Sequence, residues 1–228
     1  MNPNFWSNRR RFLTGAALTA GMCGLNLAAQ SAETKTEKDS GLYVIGPKRG
    51  YTPQVGTLVS MLTYIQTAVT SSVKGLTMAD LDYLFDANAN TIGALLLHLA
   101  ATETYYGMNT FENKKWDSWS DDLKKKWDPA MNLGDAGRKA IKGHDLDYYL
   151  NILHETREHS LAEFRKRDDQ WLLSTDTEQF GSSDKINIYW KWFHVCEHES
   201  HHTGQIAFLT KRLPGAKAAP AGSGANQK

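Results

Sequence analysis

His194-Val195-Cys196-Glu197-His198-Glu199-Ser200-His201-His202-Thr203-Gly204-Gln205-Ile206 places four histidines within nine residues. Around this run, Ile188, Trp192, Val195, Ile206, Leu209 and Leu213 recur at helical spacing. Residues four apart on a helix lie about 40° from one another, so His198 and His202 share one face. They interrupt the apolar stripe between Val195 and Ile206, which turns the pair inward. A buried polar group without a partner costs on the order of 1–3 kcal/mol. One shared metal ion would satisfy both imidazoles at once.

Three further segments carry the same periodicity. The first has Val55, Leu58, Val59, Leu62, Ile65, Val69 and Val73, opened by Pro53 and stopped by Gly75. The second has Ile92, Leu95, Leu96, Leu99 and Tyr106, with Asn88 or Asn90 as its cap. The third has Leu146, Tyr149, Leu150, Leu153, Leu161 and Phe164, with Asp145 placed to cap it. Each would span about 20–25 residues, or roughly 30–37 Å at 1.5 Å per residue. No window alternates as a strand would. The expected fold is therefore all-α, a four-helix bundle. Residues 113–133, with Trp116, Trp119 and Trp127 among charges, read as a short extra helix or lid between the second and third long helices.

Composition sets the outer limits. The chain has 228 residues, 41% hydrophobic and 22% charged, the balance of a globular protein rather than a disordered or fibrous one. Its 26 basic and 25 acidic residues give a net charge of +1. Three of the basic residues are arginines in the first 31 residues, and the remainder is slightly acidic. No basic surplus exists to meet a phosphate backbone, so nucleic acid is not an expected partner. Two cysteines, Cys23 and Cys196, exclude a disulfide framework and a multi-cysteine zinc site.

The N-terminus reads as an address. Arg9-Arg10-Arg11-Phe12-Leu13 fits the twin-arginine pattern R-R-x-F-L. A weakly apolar stretch follows to Leu27, and Ala29 with Ser31 offers a small-residue cleavage site. That stretch is too short and too broken for a spanning helix of about 20 apolar residues. The expected division is a signal peptide over 1–31, a polar linker over 32–50, the bundle over 51–213 and a disordered tail over 214–228. The twin-arginine translocase is then an expected partner, and the expected location is periplasmic or extracellular, in a bacterium.

A metal needs more than the pair on the last segment. The letters match H-E-x-x-H, but in the usual zincins a third ligand lies downstream of the pair. No His, Asp, Glu or Cys follows His202 here. The third ligand must come from upstream, and His98 sits at the centre of Leu95-Leu96-Leu97-His98-Leu99-Ala100. Taken alone, such a histidine is more often a hydrogen-bonded core residue; beside an inward pair on another long helix it reads as a ligand. A di-iron carboxylate bundle is excluded by the third segment, where Glu155 and Glu158 lack the histidine that site requires. Cys196, about 200° around the helix from His198, should not share the metal.

Ile92-Gly93-Ala94-Leu95-Leu96-Leu97-His98-Leu99-Ala100-Ala101-Thr102-Glu103, followed by His198-Glu199-Ser200-His201-His202-Thr203-Gly204-Gln205-Ile206, resembles the DinB/YfiT-like family of metalloenzymes (unrelated to the polymerase also called DinB). The resemblance covers about residues 51–213. It implies a four-helix bundle with a three-histidine metal site, here His98, His198 and His202. Known relatives include transferases that use bacillithiol or mycothiol and a maleylpyruvate isomerase; others have no assigned activity.

Three neutral imidazoles leave coordination positions open, as catalytic sites do. The expected cofactor is one divalent ion, Zn²⁺, Ni²⁺ or Fe²⁺, which this ligand type alone does not distinguish. Glu199 and Glu103 are the candidate proton-handling catalytic residues, against the plainer reading of surface or cap carboxylates. Arg157 and Ser160 break the apolar stripe of the third segment. They are either a polar wall of the pocket or a lapse in periodicity. The function expected is an exported metal-dependent hydrolase or transferase acting on an unidentified small molecule. The alternative is a non-catalytic metal-binding or stress-associated protein. A homodimer stays open.

Overall fold

The computed structural model describes residues 41–176 and 185–216. The expected signal peptide, most of the linker and most of the tail lie outside the described residues. Ten elements follow in order: α1 (Pro53–Ser72), α2 (Met78–Leu81), α3 (Ile92–Phe111), α4 (Asp121–Asn132), α5 (Gly134–Ala140), α6 (Leu146–Phe164), α7 (Asp169–Leu173), β1 (Thr175–Asp176), β2 (Ile186–Asn187) and α8 (Ile188–Thr210). The four long helices α1, α3, α6 and α8 have 20, 20, 19 and 23 residues and form the bundle. The two short strands pair antiparallel, Thr175 with Asn187 and Asp176 with Ile186, at the entry to α8. No helix among the described residues is long and apolar enough to cross a membrane.

Helix ends follow local chemistry. Pro53 stands in the first turn of α1, where its missing N–H costs nothing. The Asp145 carboxylate accepts from the Tyr148 N–H at 2.9 Å, capping α6 as its position predicts. At α3 the expectation fails. The cap is Thr91, whose hydroxyl accepts from the Ala94 N–H at 3.1 Å. Asn90 is occupied elsewhere, accepting from the Gly134 N–H at 3.0 Å, and the Asn88 N–H donates into the Asp86 carboxylate. α1 takes its cap from a distant element: Asp169 of α7 accepts from the Gln54 and Val55 N–H groups and from the Thr52 hydroxyl.

α3 is the centre of the molecule, with 18 of its 20 residues buried. A helix apolar on all sides has to be covered on all sides. α6 and α8 cover two flanks and α4 a third, while α1 lies against α8 and α6. The region expected to be a short helix or lid is thus part of the core: α4 and α5 pack there, burying Trp119, Trp127, Ala130 and Ile141. Trp119 stacks on Tyr105 with ring centroids 5.0 Å apart. Residues 41–50, within the expected linker, also touch the bundle. The Gly46 N–H donates to Ser60 Oγ at 3.1 Å, and a Cβ on Gly56 would lie 2.5 Å from the Lys48 nitrogen.

The core divides along the bundle axis. One apolar cluster holds Val69, Leu95, Leu99, Leu153 and Ile206; the other holds Leu58, Leu62, Phe111, Phe164 and Trp192. Between them, at middle height on each long helix, fall the Leu62 carbonyl, His98, Glu103, Arg157, Ser160, His198, Glu199 and His202. That polar layer is the site.

Candidate metal centre

His98 from α3 meets His198 and His202 from α8. His98 Nε2 and His202 Nε2 each lie 3.1 Å from His198 Nε2. One ligand atom from each of the three falls within 4.8 Å of the others. The sequence-predicted triad is therefore assembled by the fold. His98 is 7% exposed, and the other two are half-buried.

Two of the three rings are fixed from behind. His98 Nδ1 donates to the carbonyl oxygen of Ala130, in the last turn of α4, at 2.9 Å. His202 Nδ1 faces Gln205 Oε1, one turn further along α8, at 2.8 Å. An oxygen acceptor at Nδ1 places the proton there and leaves the Nε2 lone pair facing inward, the arrangement that prepares a histidine to hold a metal. The His98 acceptor is kept in place by the α4–α5 junction. There Leu133 adopts a φ of 54° and Asn90 holds the Gly134 N–H. His198 Nδ1 is buried with no hydrogen-bond partner among the described residues.

The donor set fits a divalent cation. With protons on Nδ1 of His98 and His202, at most one hydrogen remains to serve three converging Nε2 atoms. Protonating the rings to relieve the contact is opposed by the surroundings. Burial, and then the neighbouring His202, push His98 down to about 4. Burial and the other histidines push His198 down to about 3. A cation accepts all the lone pairs together. The two 3.1 Å spacings about His198 Nε2 are close to the edge of about 3.3 Å for a tetrahedron with Zn–N bonds of 2.0–2.1 Å, within a cluster whose ligand atoms all lie within 4.8 Å of one another.

Behind the triad lies an ion network that spans all four long helices. Arg157 of α6 grips Glu103 of α3 with both carboxylate oxygens, Nε to Oε1 at 2.8 Å and Nη2 to Oε2 at 3.0 Å. It also donates from Nη2 to Glu199 Oε1 of α8 at 2.6 Å and from Nη1 to the Leu62 carbonyl of α1. Arg157, Glu103 and Glu199 are 1%, 2% and 3% exposed. The surface or cap reading of the two carboxylates is thereby corrected: both sit in the core because a guanidinium is there to meet them. Arg157 and Ser160 are both 1% exposed, so the break in the α6 stripe is buried; Arg157 serves the two carboxylates, and Ser160 lines a separate cavity with Glu103 and Thr104. Burial works against the charge on Arg157, yet the two carboxylates outweigh it and raise its pKa. Burial pushes Glu199 up to about 7, against the pull of Arg157. Glu199 Oε2 is buried and takes no hydrogen bond among the described residues. Neither carboxylate bonds to the three histidines among the described residues.

The remaining candidates fall where their spacing puts them. Cys196 is half-buried and outside the cluster, its thiol pushed up to about 11, by burial first and then by Glu199. His154 and His159 are exposed on α6. Reading the sequence missed the supports of the triad. Gln205 was detectable, three residues after His202 and able to reach its ring. The Ala130 carbonyl was not, because a backbone acceptor leaves no mark in the residue type.

A family model described as mycothiol-S-transferase matches residues 57–215, which contain the whole bundle beyond the first turn of α1. The chain belongs to the mycothiol-S-transferase family. This is a DinB/YfiT-like family, so the resemblance read from the His98 and His198–His202 motifs holds, as does the all-α fold. Its members are metal-dependent, and the three histidines can hold the ion. No curated protein matches the chain. Among solved structures, an uncharacterized protein from Clostridium difficile 630 superposes with a TM-score of 0.53 at 12% identity, covering 70% of this chain and 97% of that one. A protein from Streptococcus pneumoniae gives a TM-score of 0.53 at 11% identity, covering 70% and 92%. At those identities the likeness is one of fold.

Proposed function

We propose that the protein is an exported metal-dependent transferase that joins a small thiol to an organic electrophile at the three-histidine site. The observation that carries this reading is the convergence of His98, His198 and His202 Nε2 atoms in a chain of the mycothiol-S-transferase family. A divalent ion there, Zn²⁺, Ni²⁺ or Fe²⁺, would supply Lewis acidity that favours thiolate over thiol near neutral pH. The chain's own residues do the rest. His98 and His202, with their tautomers set by Ala130 and Gln205, present neutral donors that leave the cation's charge uncancelled. Glu199 is the carboxyl placed to hold a proton, since its Oε2 takes no hydrogen bond among the described residues. Glu103, engaged through both oxygens, acts only through Arg157. In the transfer the thiol gives up its proton, its sulfur bonds the electrophilic carbon, and the leaving group departs with the bonding electrons.

Arg9 and Arg10 support export through the twin-arginine translocase with removal of residues 1–31. A periplasmic or extracellular location in turn narrows the thiol. A cytoplasmic cofactor such as bacillithiol has no maintained supply there, so a thiol present outside the cytoplasm is the expected co-substrate. Replacing both arginines with lysine should keep the protein inside. Mature protein still found outside would refute the route.

The activity is tested with metal-loaded protein, chlorobimane as electrophile, and mycothiol and cysteine as thiol probes, followed by fluorescence. The expected result is a rate above the solution reaction that His198→Ala abolishes together with the metal. Stoichiometric metal without any such rate would refute the transferase reading. It would favour the hydrolase or the non-catalytic metal-binding alternative.

A further inference from the structure

α8 turns another face to solvent, away from the ligand histidines. Trp190, Phe193, Glu197, His201, Gly204 and Phe208 follow one another at three- and four-residue spacing. The stripe is about 27 Å long at 1.5 Å per residue. Phe193 is 50% exposed and Phe208 46%, and Trp190 is 40% exposed although it stacks on His194. Nothing lies within 4 Å of where a Cβ on Gly204 would sit, so another helix can approach closely there. Single exposed aromatic residues are ordinary, whereas a stripe of them along one helix marks an interaction surface.

The outermost and innermost pairs of the stripe are symmetric about its middle, and Phe193 and Gly204 are one residue off that symmetry. Counted about position 199, Trp190 matches Phe208 and Glu197 matches His201. Two copies of α8 laid antiparallel would therefore set Trp190 of each against Phe208 of the other at both ends. At the centre, Glu197, which within the chain lies 3.0 Å from His194 Nδ1 and 3.7 Å from His201 Nε2, would also face the second copy's α8 at the level of His201, twice. Phe193 would fall beside Gly204, where there is room for its ring. Such self-complementarity is what a two-fold interface requires. Phe85, edge-on to Phe208 at 5.8 Å, and Leu173, which shares a shallow cavity with Trp190, are 40% and 46% exposed. They widen the stripe at its two ends towards the area of about 1,200 Å² that a stable interface needs.

We infer that this face of α8 docks a second copy of the chain, antiparallel, about a two-fold axis level with Glu199. At about 100° per residue, His198 and His202 lie roughly 80° and 120° around α8 from the seam, so docking leaves the histidine cluster on its own face. The inference stands independently of the metal reading.

Sedimentation velocity on the purified full chain at micromolar concentration tests it. The parent should run as a dimer, and Phe193→Lys and Phe208→Lys should each yield a folded monomer with unchanged helicity by circular dichroism. Glu197→Lys should weaken the dimer by more than about tenfold, because a cation replaces the acceptor that faces His201 across the axis. The double variant Glu197→Lys/His201→Glu should recover it, because a carboxylate again faces a donor across the axis with their places exchanged. A monomeric parent, a dimer indifferent to the two phenylalanine changes, or a double variant no better than Glu197→Lys would overturn it. Metal content serves as the control and should stay constant throughout.

Discussion

Arg157 Nη2 lies 2.6 Å from Glu199 Oε1, a buried ion pair from α6 to α8 that ends one residue from His198 of the histidine cluster. The same guanidinium holds Glu103, so its loss would leave two carboxylates in the core with no counter-charge. Removing one partner of a buried pair costs about 3–5 kcal/mol. Arg157→Met should destabilise by that order in urea denaturation, more than Glu199→Gln, which keeps shape and hydrogen bonding. Equal effects would mean that Arg157 works by packing alone.

Gln205 supports His202 without touching the metal position. Loss of such an outer hydrogen bond typically costs 10–100-fold in metal affinity. Gln205→Leu should show a loss of about that size in chelator competition, with helicity and melting temperature of the metal-free protein unchanged.

His98 should cost metal-free protein stability in acid below the ordinary histidine pKa of about 6.5. Burial holds His98 down to about 4 in the fold, while the unfolded chain takes up a proton at the ordinary value. Between those two pH values the unfolded state binds more protons at this residue, so its contribution to stability rises with pH. His98 alone corresponds to about 3 kcal/mol, an upper bound at 1.36 kcal/mol per unit. Glu199, raised to about 7, acts in the opposite direction over part of this range, so the check is a difference. Between pH 4 and 6.5 the urea midpoint of the chelator-treated parent should rise more steeply with pH than that of His98→Gln.

Gly93 lets α3 approach α6. A Cβ there would lie 2.7 Å from the Tyr149 hydroxyl oxygen and 2.8 Å from its ring carbon. Gly93→Ala should therefore destabilise by about 1–3 kcal/mol. Tyr149→Phe should be neutral or slightly stabilising, because the buried hydroxyl has no hydrogen-bond partner among the described residues. Thermal melts of the two variants should move in different directions or by clearly different amounts.

Much of this was legible in the residues. The periodicity of Val55–Val73 and Leu146–Phe164 located two helices, and His98 in a leucine run located one member of the three-histidine cluster. The parts that were not legible depend on contacts between distant segments. Asn88 and Asn90 looked like caps for α3, but each is committed to another loop contact and Thr91 does the work. The cap of α1 comes from Asp169, more than a hundred residues away. Glu103 and Glu199 stood between a proton-handling role and a surface or cap role because a carboxylate shows no sign of its partner, and Arg157 stood between a pocket wall and a break in a stripe. The covering of α3 by α4 could not be read from an amphipathic segment crowded with charge.

Elemental analysis of protein purified without added metal, in parent, His98→Ala, His198→Ala and His202→Ala forms, tests the three-histidine site most directly. The parent should carry one divalent ion per chain, and each variant, still helical by circular dichroism, should lose it. Full occupancy in any one of the three, or a parent that takes up no ion when zinc, nickel or iron is supplied, would contradict it.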